Sequence, residues 1–193
     1  MPDINKESGM SLVELLVAIA MFGIIVTGIY NLFRVHNLMA AKQEETTMMQ
    51  QELLTALVDM SEEIRMCGFK PMGIGNFGIN QTATNQTSIY CTRGLSIANN
   101  STNIISYTRD NSNQLLVYIS SNDTWEPAAT NISELSFAYF DEDGLEITPP
   151  TNVKSIRMVE INATAIPSPA RAALGISSRN MNTRIWLRNL GLE

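Results

Sequence analysis

The sequence predicts an α+β protein: one long N-terminal helix whose second half packs on an antiparallel β-sheet. Three observations carry that expectation. Residues Leu15 to Phe33 hold no charged side chain. Leu53, Leu57, Met60, Ile64 and Cys67 then recur at intervals of four and three, which places them on one helical face. Beyond Pro71, short runs rich in Ile, Val, Leu and Tyr are separated by Asn- and Ser-rich breaks, as strands are by turns. A helix followed by a series of strands is the α+β pattern.

The helix comes first in the chain. The 19 residues from Leu15 to Phe33, at about 1.5 Å each, reach about 28 Å, close to the hydrocarbon thickness of a bilayer. A secretory signal peptide would need a basic start and a small-x-small cleavage site after the apolar run. Here the leader Met1–Gly9 sets Lys6 against Asp3 and Glu7, and the run is followed by Arg34-Val35-His36-Asn37-Leu38. A plain membrane anchor leaves Glu14 unexplained, since a carboxylate in an apolar helix costs about 2.5–3.5 kcal/mol near the bilayer centre and less near an end. Cleavage after Gly9 would supply a partner. Met10 would then carry a new α-amino group, and between staggered neighbours the cation of one chain would meet Glu14 of the next.

The run Gly9-Met10-Ser11-Leu12-Val13-Glu14-Leu15-Leu16-Val17-Ala18 resembles the processing and methylation motif of type IV prepilins and type II secretion pseudopilins. The resemblance implies that a prepilin peptidase cuts between Gly9 and Met10 and that the Met10 amine is methylated. Glu14, the fifth mature residue, would then guide assembly. Major pilins commonly carry a proline where this chain has Asn31, so nothing here forces a helix break. Lys6 precedes the span while Arg34 and Lys42 follow it, so orientation rests on the motif and not on charge.

The helix is expected to run on from Ser11 to about Met66. Glu52, Asp59, Glu62, Glu63 and Arg65 supply a solvated face opposite the apolar one. Residues Arg34 to Gln51 are more polar and are expected to be exposed in a free subunit, with Met48 and Met49 as helix filler. Gly68 and Pro71 end the pattern, and Gly68 to Thr87 reads as a Gly/Asn/Thr-rich surface loop. Strand-like runs follow at Ser88–Thr92, Asn103–Thr108, Leu115–Ser120, Ile132–Phe140, Val153–Ala165 and Thr183–Asn189. The expected divisions are a leader at 1–9, a transmembrane and assembly helix at 10–33, an amphipathic continuation at 34–67 and a β-rich head at 68–193.

Three further segments resemble PilW-type minor pilins and, in part, the related pseudopilin J: Glu63-Ile64-Arg65-Met66-Cys67-Gly68-Phe69, Leu135 to Asp141 with Ile156-Arg157-Met158-Val159, and Ile185 to Leu190. An exported head would sit where thiols oxidise. Cys67 and Cys91, the only two cysteines, are therefore expected to form a disulfide, with two buried free thiols as the alternative.

Other chemistry finds little purchase. His36 is the only histidine, so a structural zinc site lacks its ligands, and a catalytic triad would have to use a base placed close behind the apolar run. No catalytic residue, metal site or cofactor is expected. Asp141-Glu142-Asp143-Gly144 offers half of a calcium site, as found in some pilin-like heads. It lacks the further spaced ligands, and a solvated hairpin turn is the favoured reading. Trp125 and Trp186 are read as core residues before ligand-stacking ones.

A net charge of −6 argues against nucleic acid as a partner. Gly94–Pro150 sets Arg109 against eight carboxylates, a net of −7, whereas Thr151–Glu193 sets six cations against two, a net of +4. These sets either compensate within one head or face complementary patches on neighbours.

The expected function is that of a minor pilin in a type IV pilus, helping to initiate or cap assembly. A minor, J-like pseudopilin of a type II secretion system is the alternative. A membrane-tethered periplasmic enzyme or a DNA-uptake pilin is more distant. The expected partners are other pilin or pseudopilin subunits, prepilin peptidase and the inner membrane. The chain would cross that membrane once, with its head periplasmic or otherwise outside the cytoplasm, before entering a pilus or pseudopilus.

Overall fold

The computed structural model describes residues 11–71, 77–95, 102–149 and 152–190. Helix α1 runs without interruption from Leu12 to Arg65. It contains no proline, and the helix passes through Asn31 unbroken. Its end is tightened by N–H groups of Met66 and Cys67 donating to the carbonyls of Glu63 and Ile64, at 3.1 and 3.0 Å, the shorter-loop bonding common in a last turn. Gly68 follows with φ +76°, a left-handed conformation that terminates helices and favours glycine. A Cβ at this position would also collide with Leu190.

The chain divides between Glu44 and Glu45 into two compact units. The first contains the apolar part of α1, in which every described residue up to Ala40 is exposed. The second contains the last turns of α1, from Glu45, and all of the strands.

In the second unit two antiparallel sheets enclose one core. The first sheet has the order β1-β2-β3-β4, from strands Ser88–Gly94, Thr102–Arg109, Leu115–Ile119 and Thr124–Ala129. The second contains β5 (Ile132–Phe140), β6 (Glu146–Ile147), β7 (Met158–Ala165) and β8 (Arg179–Trp186), in the order β6-β5-β7-β8. Cys91 faces Ile105 across β1 and β2, and Ile161 lies between Phe137 and Thr183 across β5, β7 and β8. Leu53, Leu57, Met60 and Ile64 of α1 are buried with Ile89, Ile105 and Tyr107 of the first sheet and with Leu135, Phe137, Tyr139 and Ile161 of the second. Tyr139 also ties the second sheet to the first, its hydroxyl lying 2.9 Å from the Asn85 carbonyl and 3.2 Å from the carbonyl of Ser88, the first residue of β1. Burial pushes the Tyr139 phenol far up, so it stays a neutral donor.

The α+β expectation holds, with corrections in detail. One sheet was expected and there are two, because strand order depends on contacts distant in sequence. Residues 153–155 form a 3-10 turn, so β7 starts only at Met158, while β8 begins four residues before Thr183. Strand β4 escaped the alternation rule because it contains Pro127 and is exposed along nearly its whole length. An edge position tolerates that proline, since no ladder donor is required there. The Gly68–Thr87 loop lies partly outside the described residues; within them, Ile79 bridges Cys91.

Candidate functional site

The predicted processing residues Gly9 and Met10 lie outside the described residues. Ser11 and Glu14, just beyond them, close the start of α1 reciprocally. The Ser11 hydroxyl oxygen accepts the Val13 N–H at 3.2 Å, and the Glu14 carboxylate accepts the Ser11 N–H at 3.3 Å. Two of the helix's otherwise unpartnered N–H groups are thereby met. The carboxylate also sits in the first turn, where the helix dipole favours negative charge.

Past this cap the helix surface is bare and apolar. Among the described residues, α1 is the only helix long and apolar enough to cross a membrane. One polar side chain within it is met internally: the Thr27 hydroxyl donates to the Gly23 carbonyl at 2.8 Å, an i−4 bond that lowers the cost of placing it in an apolar setting.

The second unit grips α1 from Glu45 onward. Residues 34–51 were expected to be exposed, but Glu45 and Met49 are buried while Met48 is not. Glu45 retains only 5% of its surface. Its carboxylate accepts the Ser168 N–H at 2.7 Å and lies 3.6 Å from the Arg171 guanidinium. The Ser168 N–H, the Ser168 hydroxyl and Arg171 hold the Glu45 carboxyl below the usual range, outweighing the upward effect of burial. Sequence reasoning missed this contact because Ser168, the nearer of its partners in sequence, lies 123 residues away. One signal was present: Glu45 falls four residues before Met49 and eight before Leu53, on the face already recognised as buried.

At the other end of this grip, Cys67 and Cys91 are joined by a disulfide, with Cα atoms 5.8 Å apart. The bridge links the end of α1 to β1. Nearby, Arg93 forms an ion pair with Glu63 at 2.9 Å.

The acidic run forms a turn. One Asp141 oxygen accepts the N–H groups of Asp143 and Leu145, at 3.0 and 2.8 Å, and Gly144 takes φ +80°. That oxygen is committed to the backbone, and no group of three or more His, Cys, Asp or Glu side chains gathers as a metal site among the described residues.

The tryptophans are not in the core. Trp125 is 44% exposed and Trp186 51%; Trp125 meets Tyr118 edge-on with ring centres 5.4 Å apart. Part of the basic set compensates within the head. The Arg184 Nε donates to Glu160 at 2.6 Å, and its guanidinium lies over Phe140.

Comparison with known proteins bears on the N-terminus. Residues 4–30 match the family described as the prokaryotic N-terminal methylation motif. No curated protein matches the chain. The matched stretch contains Gly9, Met10 and Glu14 together with most of the bare apolar segment, and the N-terminal segment therefore carries a prokaryotic N-terminal methylation motif.

Proposed function

We propose that the chain is a minor pilin. Prepilin peptidase cuts between Gly9 and Met10, the Met10 amine is methylated, and the helix to Phe33 holds the subunit in the cytoplasmic membrane until it enters a type IV pilus. There it helps to initiate or cap assembly. The observation that carries this reading is the methylation motif at 4–30, continuous with a helix whose large apolar side chains from Leu12 to Met39 are exposed. Such a surface is satisfied by lipid before assembly and by other helices after it.

The experiment is intact-mass measurement on chain isolated from cells that contain prepilin peptidase. The expected product lacks Met1–Gly9 and carries one added methyl group. A chain that keeps its leader, or starts elsewhere, overturns the reading. The resemblance of the Leu135–Asp141 segment to pseudopilin J supports a second reading, a minor pseudopilin with identical processing. Deletion separates the two: loss of pili supports the first, and loss of secretion with pili intact supports the second.

A further inference from the structure

Positive charge converges in one cleft of the second unit, with no carboxylate among its described lining residues. The cleft has a volume of about 730 Å³; Lys70, Lys154 and Arg157 line it, with Phe77, Ile79 and Leu190 as its apolar part. None of the three cations forms an ion pair with a described residue. The Arg157 guanidinium is fixed by donating to the carbonyls of Lys154 and Ile156, at 2.7 and 3.0 Å. Three like charges around one volume repel each other, and in a chain of net charge −6 that arrangement calls for a complementary group.

The same head presents such a group at a neighbouring turn, which begins one residue after Phe140, whose carbonyl accepts the Arg157 N–H at 2.8 Å. In the turn between β5 and β6, Asp141 is occupied in holding the backbone, but Glu142 and Asp143 are exposed. Beside them Leu145 is 65% exposed. An uncovered leucine next to two free carboxylates is the complement of a cationic cleft with an apolar lining. Within one chain neither Glu142 nor Asp143 forms an ion pair with Lys70, Lys154 or Arg157.

We propose that the Glu142–Leu145 turn of one copy enters the basic cleft of a second copy. Glu142 and Asp143 meet Lys70 and Lys154, and Leu145 packs against Phe77, Ile79 and Leu190. The inference rests on the reading of the chain as an assembling subunit only in requiring that copies meet.

The test is sedimentation velocity of the full-length chain in detergent micelles at several salt concentrations. The expected result is self-association at 0.1 M salt that is lost at 1 M, as the screening length falls from about 10 Å to about 3 Å. Apolar contacts along α1 are not weakened by salt and so do not mimic this. The double variant Lys70→Glu/Lys154→Glu and the double variant Glu142→Lys/Asp143→Lys are each expected to stay monomeric, because in each the turn and the cleft now repel. An equal mixture of the two is expected to associate again, and Leu145→Ser to weaken association about tenfold. Circular dichroism confirms that each variant is folded.

Association that ignores salt, or double variants that behave as wild type, overturns the proposal. So does a mixture no better than its parts. Intact mass of the same samples reports processing separately, so a failed charge swap on a correctly cut and methylated chain removes this contact and leaves the pilin reading standing.

Discussion

Glu45 carries a formal charge into the interior, and its donors meet it there. Because the folded carboxyl is held below its ordinary range, it stabilises the head above the unfolded carboxyl's pKa of about 4.3. That contribution fades as pH falls through the lower, folded value. Urea midpoints measured on the full chain at pH 7 and pH 3 should therefore drop less in Glu45→Gln than in wild type. At pH 7, Glu45→Ala should cost about 2 kcal/mol, the worth of a hydrogen bond to a charged group left unmade. The disulfide between Cys67 and Cys91 closes a sequence separation of 24, for which the chain-entropy model gives about 3 kcal/mol. Reduction should lower the melting temperature of the wild type and leave a Cys67→Ala/Cys91→Ala variant unmoved. Residue identity made the buried helix face legible, since Leu53, Leu57, Met60 and Ile64 keep one period. It misled at Trp125 and Trp186, where a large apolar area says nothing about which sheet face the residue occupies.

Helix α1 meets different surroundings along its length, and the substitutions that probe it should separate accordingly. Leu53 is wholly buried, so Leu53→Ala should destabilise the head by about 2–5 kcal/mol without altering cleavage. Glu14→Ala should leave the head's melting curve unchanged and let membrane insertion persist or improve, since the carboxylate is the costly part. Recruitment into filaments, measured by the fraction of chain recovered in sheared pili, should fall; normal recruitment would remove the pairing argument for Glu14. The helix was legible because its signals are local: an uncharged run, then a steady apolar period, then Gly68. Strands with alternation, such as β5, were legible for the same reason. Strand β4 was not, because a proline and an exposed setting erase the pattern, and the split into two sheets was not because pairing order is a property of distant contacts.

For the whole molecule, the sequence showed an uneven charge distribution but not its arrangement. Arg171 and Arg184 pair with Glu45 and Glu160, leaving Lys70, Lys154 and Arg157 as the cations that share a cleft. Lys70 lies far in sequence from the other two, so no count along the chain would have grouped them. The bridge from the end of α1 to β1 has a further consequence, a mechanical one. In the filament proposed above, a pull on the N-terminus would transmit load along α1 into the head. Peeling the helix away from Glu45 onward would then stop at Cys67, where the load passes through the covalent bond directly to β1. The residues between Cys67 and Cys91, a separation of 24, would add nothing to the extension. At about 3.5 Å per residue, roughly 80 Å of chain stays hidden from force. Pulling single molecules between Glu45 and the C-terminus should therefore show an unfolded length that grows by about 80 Å when reductant is added, so the oxidation state of one bond sets how far this head can be stretched.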